Sequence, residues 1–176
     1  GMNDRFQSQG LSLACHIAYP SDDAQPSPGI ILCHGFPIGP LDAQLSAGTF
    51  PQLIDRISRQ LDCVAMTFNF RGCGESAGNF SLQGWVDDLR NAIAHLHKVS
   101  NPNGVILLGT NTGGSIAVCV GADDPNVTAV GLLSPRADFD DWADHPRRFL
   151  EHARELGAIK DPRFPASVDE WAREFR

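Results

Sequence analysis

Residues 104–114 read GVILLGTNTGG, an apolar run that passes directly into a glycine-rich turn. Five apolar residues without alternation are typical of a strand that is buried on both faces, as in a parallel sheet. The turn leads into residues 112–120, which are rich in small residues and are predicted to form a short helix. A buried strand followed at once by a helix is the building unit of an α/β domain.

The same alternation extends in both directions along the chain. A helix is predicted over residues 82–99 because apolar residues recur at helical spacing after Ser81, a suitable N-cap. Residues 138–176 are predicted to form polar helices that prolines interrupt. The pattern therefore predicts a doubly wound α/β fold with a mostly parallel sheet of five to six strands. The strands are predicted at 11–19, 29–33, 63–70, 104–108 and 127–133, and the other helices at 50–61 and 112–120.

Composition excludes several functional classes. The 176 residues carry 14 Lys and Arg against 21 Asp and Glu, a net charge of −7, and the positive charges are scattered. Nucleic acids and anionic membranes require a basic surface, so we expect neither as a partner. The apolar runs are far shorter than the roughly 20 residues of a membrane span. No signal peptide is visible, and Gly1 and Met2 are interpreted as an expression scar.

Five widely spaced cysteines do not form the pattern of a disulfide framework. Three of them lie in apolar, strand-like runs, where a thiol acts as a small hydrophobic group. No CxxC motif occurs, so we expect neither a zinc ribbon nor a redox pair. The cysteine usage predicts a cytoplasmic protein.

Three loops follow the carboxyl ends of predicted strands, where open α/β sheets bind their ligands. They are residues 34–40, 71–79 and 109–114, which contain the sequences HGFP, RGCGES and GTNTGG. Taken singly, each has an ordinary explanation as a strand exit, a glycine-rich turn or a tight turn into a helix. The order of the three loops after three successive strands is a much more specific signal than any one loop alone.

Together the three loops resemble those of the α/β-hydrolase family, in particular its serine esterase, lipase and peptidase-like branch. In that family an HG loop, an RGxGxS loop and a GxSxGG elbow follow consecutive strands. The resemblance covers residues 11–140 and implies a single α/β-hydrolase-like domain over 1–176, with a core at 11–140 and a helical tail at 141–176.

The resemblance also implies roles for individual residues. The backbone N–H groups of Phe36, which follows Gly35 in the HG loop, and of Thr112 would form an oxyanion hole. Such donors stabilise negative charge on a tetrahedral intermediate. Arg71 and Ser76 would connect neighbouring loops.

The position of the nucleophilic serine in this resemblance is held by Asn111. A side-chain amide is not a nucleophile comparable to an activated hydroxyl, whereas Asn tolerates a positive φ better than most residues. The turn would thus be kept and the chemistry lost. Neighbouring residues that could replace the serine are Thr110, Thr112, Ser115, Ser76, Cys33 and Cys73.

The acid and the base of the family triad follow two further strands. After residues 127–133 the sequence has no apolar run of four residues, so neither group can be placed. Two explanations stay open: a non-catalytic hydrolase-like protein, or a fragment of a longer chain. The histidines are interpreted as structural or surface residues. They are His16, His34, His95, His97, His145 and His152.

Two functional hypotheses follow. In the first, the protein has no catalytic residue and binds a small molecule or a partner at the former oxyanion site, formed by Gly35, Phe36 and Thr112 around Asn111. In the second, it is an active hydrolase of carboxylic esters or related substrates that uses a surrogate nucleophile or residues from a partner chain.

We expect no metal and no cofactor. The sequence GCGESA resembles a dinucleotide fingerprint, but the next predicted helix begins only after Ser81, too late to meet a pyrophosphate. Asp138, Asp140, Asp141 and Asp144 are interpreted as charges at a helix start.

A sheet that stops at residues 127–133 would leave that strand at an edge. An apolar edge strand invites pairing. We therefore expect either the tail helices to cover it or a second copy to pair with it in a homodimer.

Overall fold

The computed structural model describes residues 2–37, 40–133 and 138–176, with the backbone alone for residues 40–47. Residues 38 and 39 of the predicted HG loop, and Gly1, lie outside this range. The strands are β1 (Asp4–Ser8), β2 (Leu11–Ala18), β3 (Gly29–Cys33), β4 (Ala65–Phe68), β5 (Val105–Thr110) and β6 (Val127–Leu133). The helices are α1 (Pro40–Leu61), α2 (Leu82–Val99), α3 (Thr112–Asp123), α4 (Asp140–Asp144), α5 (Pro146–Glu155) and α6 (Val168–Arg173).

The described strands form one six-stranded sheet in the order β1-β2-β4-β3-β5-β6. The pairs β3–β4, β3–β5 and β5–β6 are parallel, while β1–β2 and β2–β4 are antiparallel. The predicted doubly wound, mostly parallel α/β fold is confirmed. The parallel order brings the carboxyl ends of β3, β4 and β5 to the same edge of the sheet, with the three predicted loops.

Helices cover both faces of the sheet. On one face, Ile54 of α1 packs with Ile30, Leu32 and Ala65. On the other face, α2 and α3 pack over the main hydrophobic core, which includes the fully buried Trp85 of α2. The predicted α2 is confirmed at both ends, and Ser81 caps it by accepting a hydrogen bond from the Gly84 N–H at 3.0 Å.

Two elements differ substantially from the sequence prediction, and the ends of β2, β4, β5 and α3 differ from it by one to three residues. Strand β1 was not predicted, because its sequence DRFQS contains one apolar residue; its inward positions, Phe6 and Ser8, are nevertheless buried. Helix α1 begins at Pro40, ten residues before the predicted start at residue 50. Proline suits the first position of a helix, because its missing N–H would have no partner inside the helix there.

The tail helices contribute aromatic rings to the main core. Trp142 and Phe149 stack with ring centroids 3.9 Å apart, and Phe149 lies 5.2 Å from the ring of Phe36. We call this group, together with Phe80, the aromatic cluster; Phe80 is fully buried within it. The tail therefore packs next to the loop that follows β3.

Strand β6 lies at the end of the sheet and, among the described residues, pairs with β5 alone. Helix α3 packs on one of its faces, while Leu132 and Leu133 remain 40% and 66% exposed. No tail helix within the described ranges lies along the free edge. Of the two expected coverings, pairing with a second copy therefore stays a prediction.

Candidate functional site

Asn111 occupies a sharp turn between β5, which ends at Thr110, and α3, which begins at Thr112. Its backbone has φ 49° and ψ −123°, a strained combination that Asn tolerates better than most residues. The turn is held by hydrogen bonds from the Asn111 N–H to the Leu133 carbonyl, at 3.2 Å, and from the Gly114 N–H to the Asn111 carbonyl, at 3.0 Å. Asn111 itself is exposed. The sequence-predicted strand–turn–helix is thus present with Asn111 at its tip.

The loop after β3 lies directly against this turn. A Cβ atom added to Gly35 would lie 2.8 Å from the Cβ atom of Asn111, and one added to Gly113 would overlap the His34 carbonyl oxygen. Real Cβ atoms do not approach this closely, so only glycine fits at either position. The structure therefore brings Gly35, Asn111 and Gly113 together.

The two predicted oxyanion donors flank this contact. Phe36 follows Gly35, and its ring is 8% exposed within the aromatic cluster, which anchors the loop. Thr112 is the first residue of α3, where backbone N–H groups have no partner inside the helix and carry the positive end of its dipole. The convergence of the two N–H groups on one bound oxygen stays a prediction.

His34 is a structural residue with both ring nitrogens engaged. Its Nε2 accepts a hydrogen bond from the Phe70 N–H at 3.0 Å, so Nδ1 carries the proton and donates to the Gly35 carbonyl at 2.8 Å. Burial lowers the pKa of the imidazole and favours its neutral form. His34 thus holds two loops together and has no free nitrogen with which to act as a base.

The loop after β4 is also structural, as the resemblance implied. The Arg71 guanidinium contacts Asp88 of α2 at 2.8 Å, and the Arg71 N–H reaches the same carboxylate at 2.9 Å. Asp88 is fully buried and also accepts a hydrogen bond from the Ser8 hydroxyl at 2.7 Å. The Ser76 hydroxyl donates to the Asn69 carbonyl at 2.6 Å and accepts from the Ala14 N–H at 2.8 Å.

Asp88 was missed at the sequence level, although a signal was available. It lies among the apolar residues of α2, on the side that faces the core. A carboxylate is rarely buried unless it is paired, so its position already indicated a partner. The sequence could not identify that partner as Arg71.

Most of the surrogate nucleophiles are buried. Complete burial raises the pKa of the Cys33 thiol, and burial raises that of Cys73 to about 12. Such thiols stay protonated near neutral pH and are inert. Ser76 and Thr112 are 3% and 2% exposed, and the hydroxyl of Ser76 is committed to the two hydrogen bonds above. Thr110 and Ser115 are partly exposed.

Comparison with known proteins shows the family of this chain. A model of the alpha/beta hydrolase family matches residues 30–176. The chain belongs to the alpha/beta hydrolase family. It is 36% identical over 90 residues to the uncharacterized protein YfhR of Salmonella typhimurium. The alignment covers 44% of this chain and 31% of YfhR.

Several solved structures share the fold of this chain. Est1E of Butyrivibrio proteoclasticus, solved with ferulic acid, superposes with a TM-score of 0.66 at 17% identity, over 80% of this chain and 56% of that one. The alpha/beta hydrolase GrgF of Penicillium sp. sh18 superposes with a TM-score of 0.65 at 20% identity, and the match covers 86% of this chain and 52% of GrgF. This chain therefore has a shortened version of the fold and spans about half the length of these structures and a third of YfhR.

The described part of the chain contains no helix that is both long and apolar enough to span a bilayer. Four cysteines are buried thiols and Cys119 is an exposed one. The cytoplasmic location expected from the cysteines stays a prediction.

Proposed function

We propose that this protein binds a small molecule or a partner at the turn around Asn111 and has no serine-hydrolase activity. The observation that carries the proposal is the residue at the exposed tip of the turn between β5 and α3, which is Asn111. In this interpretation Asn111 stands where related enzymes place their serine. An amide there keeps the strained backbone but supplies no oxygen that a base can activate.

The surroundings of Asn111 support a binding role. His34 directly precedes Gly35, which contacts Asn111. It uses both ring nitrogens in hydrogen bonds to the backbone. The thiols of Cys33 and Cys73 are buried and protonated. A turn that lacks an activated nucleophile and a base can bind an oxygen at its N–H donors but cannot complete an acyl transfer.

The chemistry of the turn favours a ligand with a carboxylate or carbonyl oxygen. The N–H groups of Phe36 and Thr112, at a loop and at the start of α3, are suited to a negatively charged or strongly polarised oxygen. The exposed amide of Asn111 adds one donor and one acceptor. Est1E binds ferulic acid, an aromatic carboxylic acid, and the same compound is a suitable first probe for this chain.

The alternative is an active hydrolase of carboxylic esters or related substrates. It is favoured by the retained turn, which holds Gly35 against Asn111 although no serine is present. Activity would require a surrogate nucleophile, for which the partly exposed Thr110 and Ser115 are the remaining candidates, or residues from a partner chain.

A combined assay separates the two hypotheses. We would measure hydrolysis of p-nitrophenyl esters of short to medium acyl length, and treat the protein with a fluorophosphonate before determining its intact mass. We expect no turnover above buffer and no adduct. Asn111→Ser is expected to remain inactive as well, because His34 of the adjoining loop has no free ring nitrogen with which to activate the new hydroxyl. Turnover with one covalent adduct on the unaltered chain would overturn the proposal, and the adducted residue would identify the nucleophile.

Binding is tested separately by titrating ferulic acid into ¹⁵N-labelled protein. Chemical-shift changes at the amides of Phe36 and Thr112, reduced in Asn111→Ala, are the expected result. Shifts confined to other regions of the chain would contradict binding at this turn.

We also propose that a second copy pairs with β6. The strand VTAVGLL carries no charged residue that would discourage edge pairing, and Leu133 is 66% exposed next to its free edge. Antiparallel pairing of two β6 strands about a two-fold axis would continue the sheet across the dimer.

A further inference from the structure

Three potential metal ligands meet at the β1 edge of the sheet, several strands away from β5 and the Asn111 turn. Asp4 of β1 lies directly across from Cys15 of β2, so the two side chains project from the same face. His95 of α2 packs over them, with its Nε2 2.9 Å from Asp4 Oδ2. One ligand atom from each residue lies within 4.8 Å of the other two. Three strands separate β1 from β5, so this cluster is independent of the proposed function.

The arrangement of these side chains is built by β1 and α2 together. Alternate residues of β1 point toward α2: Asp4 contacts His95, Phe6 stacks on the His95 ring at 5.5 Å, and Ser8 contacts Asp88. The stacking contact fixes the plane of the imidazole, which directs Nε2 toward the Asp4 carboxylate. Orientation of a histidine by its neighbours is a general requirement of metal sites.

The donor set matches the preferences of one metal in particular. An imidazole nitrogen, a thiolate and a carboxylate are the three ligand types that Zn²⁺ takes in proteins. Tetrahedral bonds of about 2.0–2.3 Å place ligand atoms about 3.3–3.8 Å apart, so small side-chain rotations would suffice from the observed spacing. Harder cations such as Ca²⁺ or Mg²⁺ prefer oxygen ligands throughout and suit the cluster poorly.

The cluster is closed on one side and open on the other. Cys15 is fully buried, whereas the side chains of Asp4 and His95 are 41% and 15% exposed. An ion could therefore enter past Asp4, and water could complete a fourth coordination position. We propose that this chain binds one Zn²⁺ through Asp4, Cys15 and Nε2 of His95, with a solvent-facing fourth position.

Binding requires a defined movement of protons and no redox change. The Asp4–His95 hydrogen bond is replaced by two bonds to the metal. The proton on Nε2 leaves to solvent as the N–Zn bond forms, and the neutral imidazole holds its single proton on Nδ1. The Cys15 thiol loses its proton to solvent as the S–Zn bond forms. Burial raises the pKa of this thiol to about 12, so without an ion the group is a neutral thiol that the metal must deprotonate.

Cobalt(II) provides a direct test, because a Co²⁺–thiolate bond gives a near-ultraviolet charge-transfer band. All measurements use the full chain with Cys119→Ser, which removes the exposed thiol. We expect one Co²⁺ per chain with the thiolate band, displacement of the ion by Zn²⁺, and a higher melting temperature in Zn²⁺. Cys15→Ser is expected to abolish the band, while Cys63→Ser, a buried thiol on the other face of the sheet, should retain it.

If Cys15→Ser does not fold, substitutions of the partly exposed ligands Asp4 and His95 provide the test instead. Asp4→Asn and His95→Gln should each weaken Zn²⁺ binding at least tenfold while leaving the circular dichroism of the metal-free protein unchanged. The proposal is overturned if the parent chain binds no Co²⁺ or binds it without a thiolate band. It is also overturned if Asp4→Asn and His95→Gln both retain the Zn²⁺ affinity of the parent chain.

Discussion

Replacing Gly113 by Ala tests the contact that builds the site. Gly113 lies in the first turn of α3, and a Cβ atom there would overlap the His34 carbonyl oxygen and lie 2.6 Å from that of Cys33. Both obstructing atoms belong to the backbone, so no side-chain rotation relieves the overlap. The start of α3 must then move away from the loop after β3, which carries Phe36.

The expected effect combines two opposing terms. In a helix interior, Gly→Ala is worth up to about 1 kcal/mol of stabilisation. Overpacking of a close contact costs about 1–3 kcal/mol, and more when backbone must shift. We therefore expect Gly113→Ala to lower the free energy of unfolding by about 1–2 kcal/mol. In a domain of this size each kcal/mol lowers the melting temperature by about 2–4 °C.

The matched control is Gly48→Ala in α1, where an added Cβ meets no atom of the described side chains and backbone within 4 Å. Equilibrium urea unfolding, followed by tryptophan fluorescence, should show this variant to be more stable than the parent by about 0.5–1 kcal/mol. The two substitutions thus have opposite predicted signs. If Gly113→Ala stabilised the chain as Gly48→Ala does, the close packing of α3 against the loop would be wrong.

Three further predictions concern other parts of the molecule. Arg71→Ala should lower the free energy of unfolding in urea by about 3–5 kcal/mol, because the buried Asp88 carboxylate keeps its hydrogen bonds from Ser8 and the backbone but loses the guanidinium that balances its charge. Arg90→Ala, which removes a half-exposed cation, should lower it by less than about 1 kcal/mol. The lowered pKa of His34 means that the unfolded chain binds a proton that the folded chain does not, so stability should fall as the pH drops below about 6.5. His34→Gln should flatten this dependence, and an unchanged slope in this variant would refute the assignment. Light scattering should detect a dimer that Leu133→Lys dissociates; a monomeric parent chain would exclude pairing through β6.

Much of the fold could be predicted because its signals are local. The fully apolar run at Gly29–Cys33 indicated a buried strand, and both ends of α2 followed from Ser81 and the spacing of its apolar residues. The turn at Asn111 was also predictable, since glycines flank a residue type that accepts a positive φ. These features depend on residues only a few positions apart.

The pairings between distant residues could not be predicted in this way. Strand β1 is held by its register with β2 and by contacts to α2, not by an apolar pattern of its own. The aromatic cluster joins Phe36 to Phe149, and Arg71 meets Asp88, although nothing in the local sequence specifies either pair.

The sequence by itself determined the order of strands and helices from β2 onward, the acidic character of the chain and the identity of Asn111 at the tip of the turn. The tertiary structure alone decided that Gly35 lies against Asn111, that His34 has no free nitrogen, and that Asp4, Cys15 and His95 form a cluster. The physical reason is the distance along the chain over which each feature is determined. Backbone preferences and the buried face of a helix or strand depend on residues close in sequence. Contacts between residues that are distant in sequence depend on strand order and helix placement, which the whole core determines cooperatively.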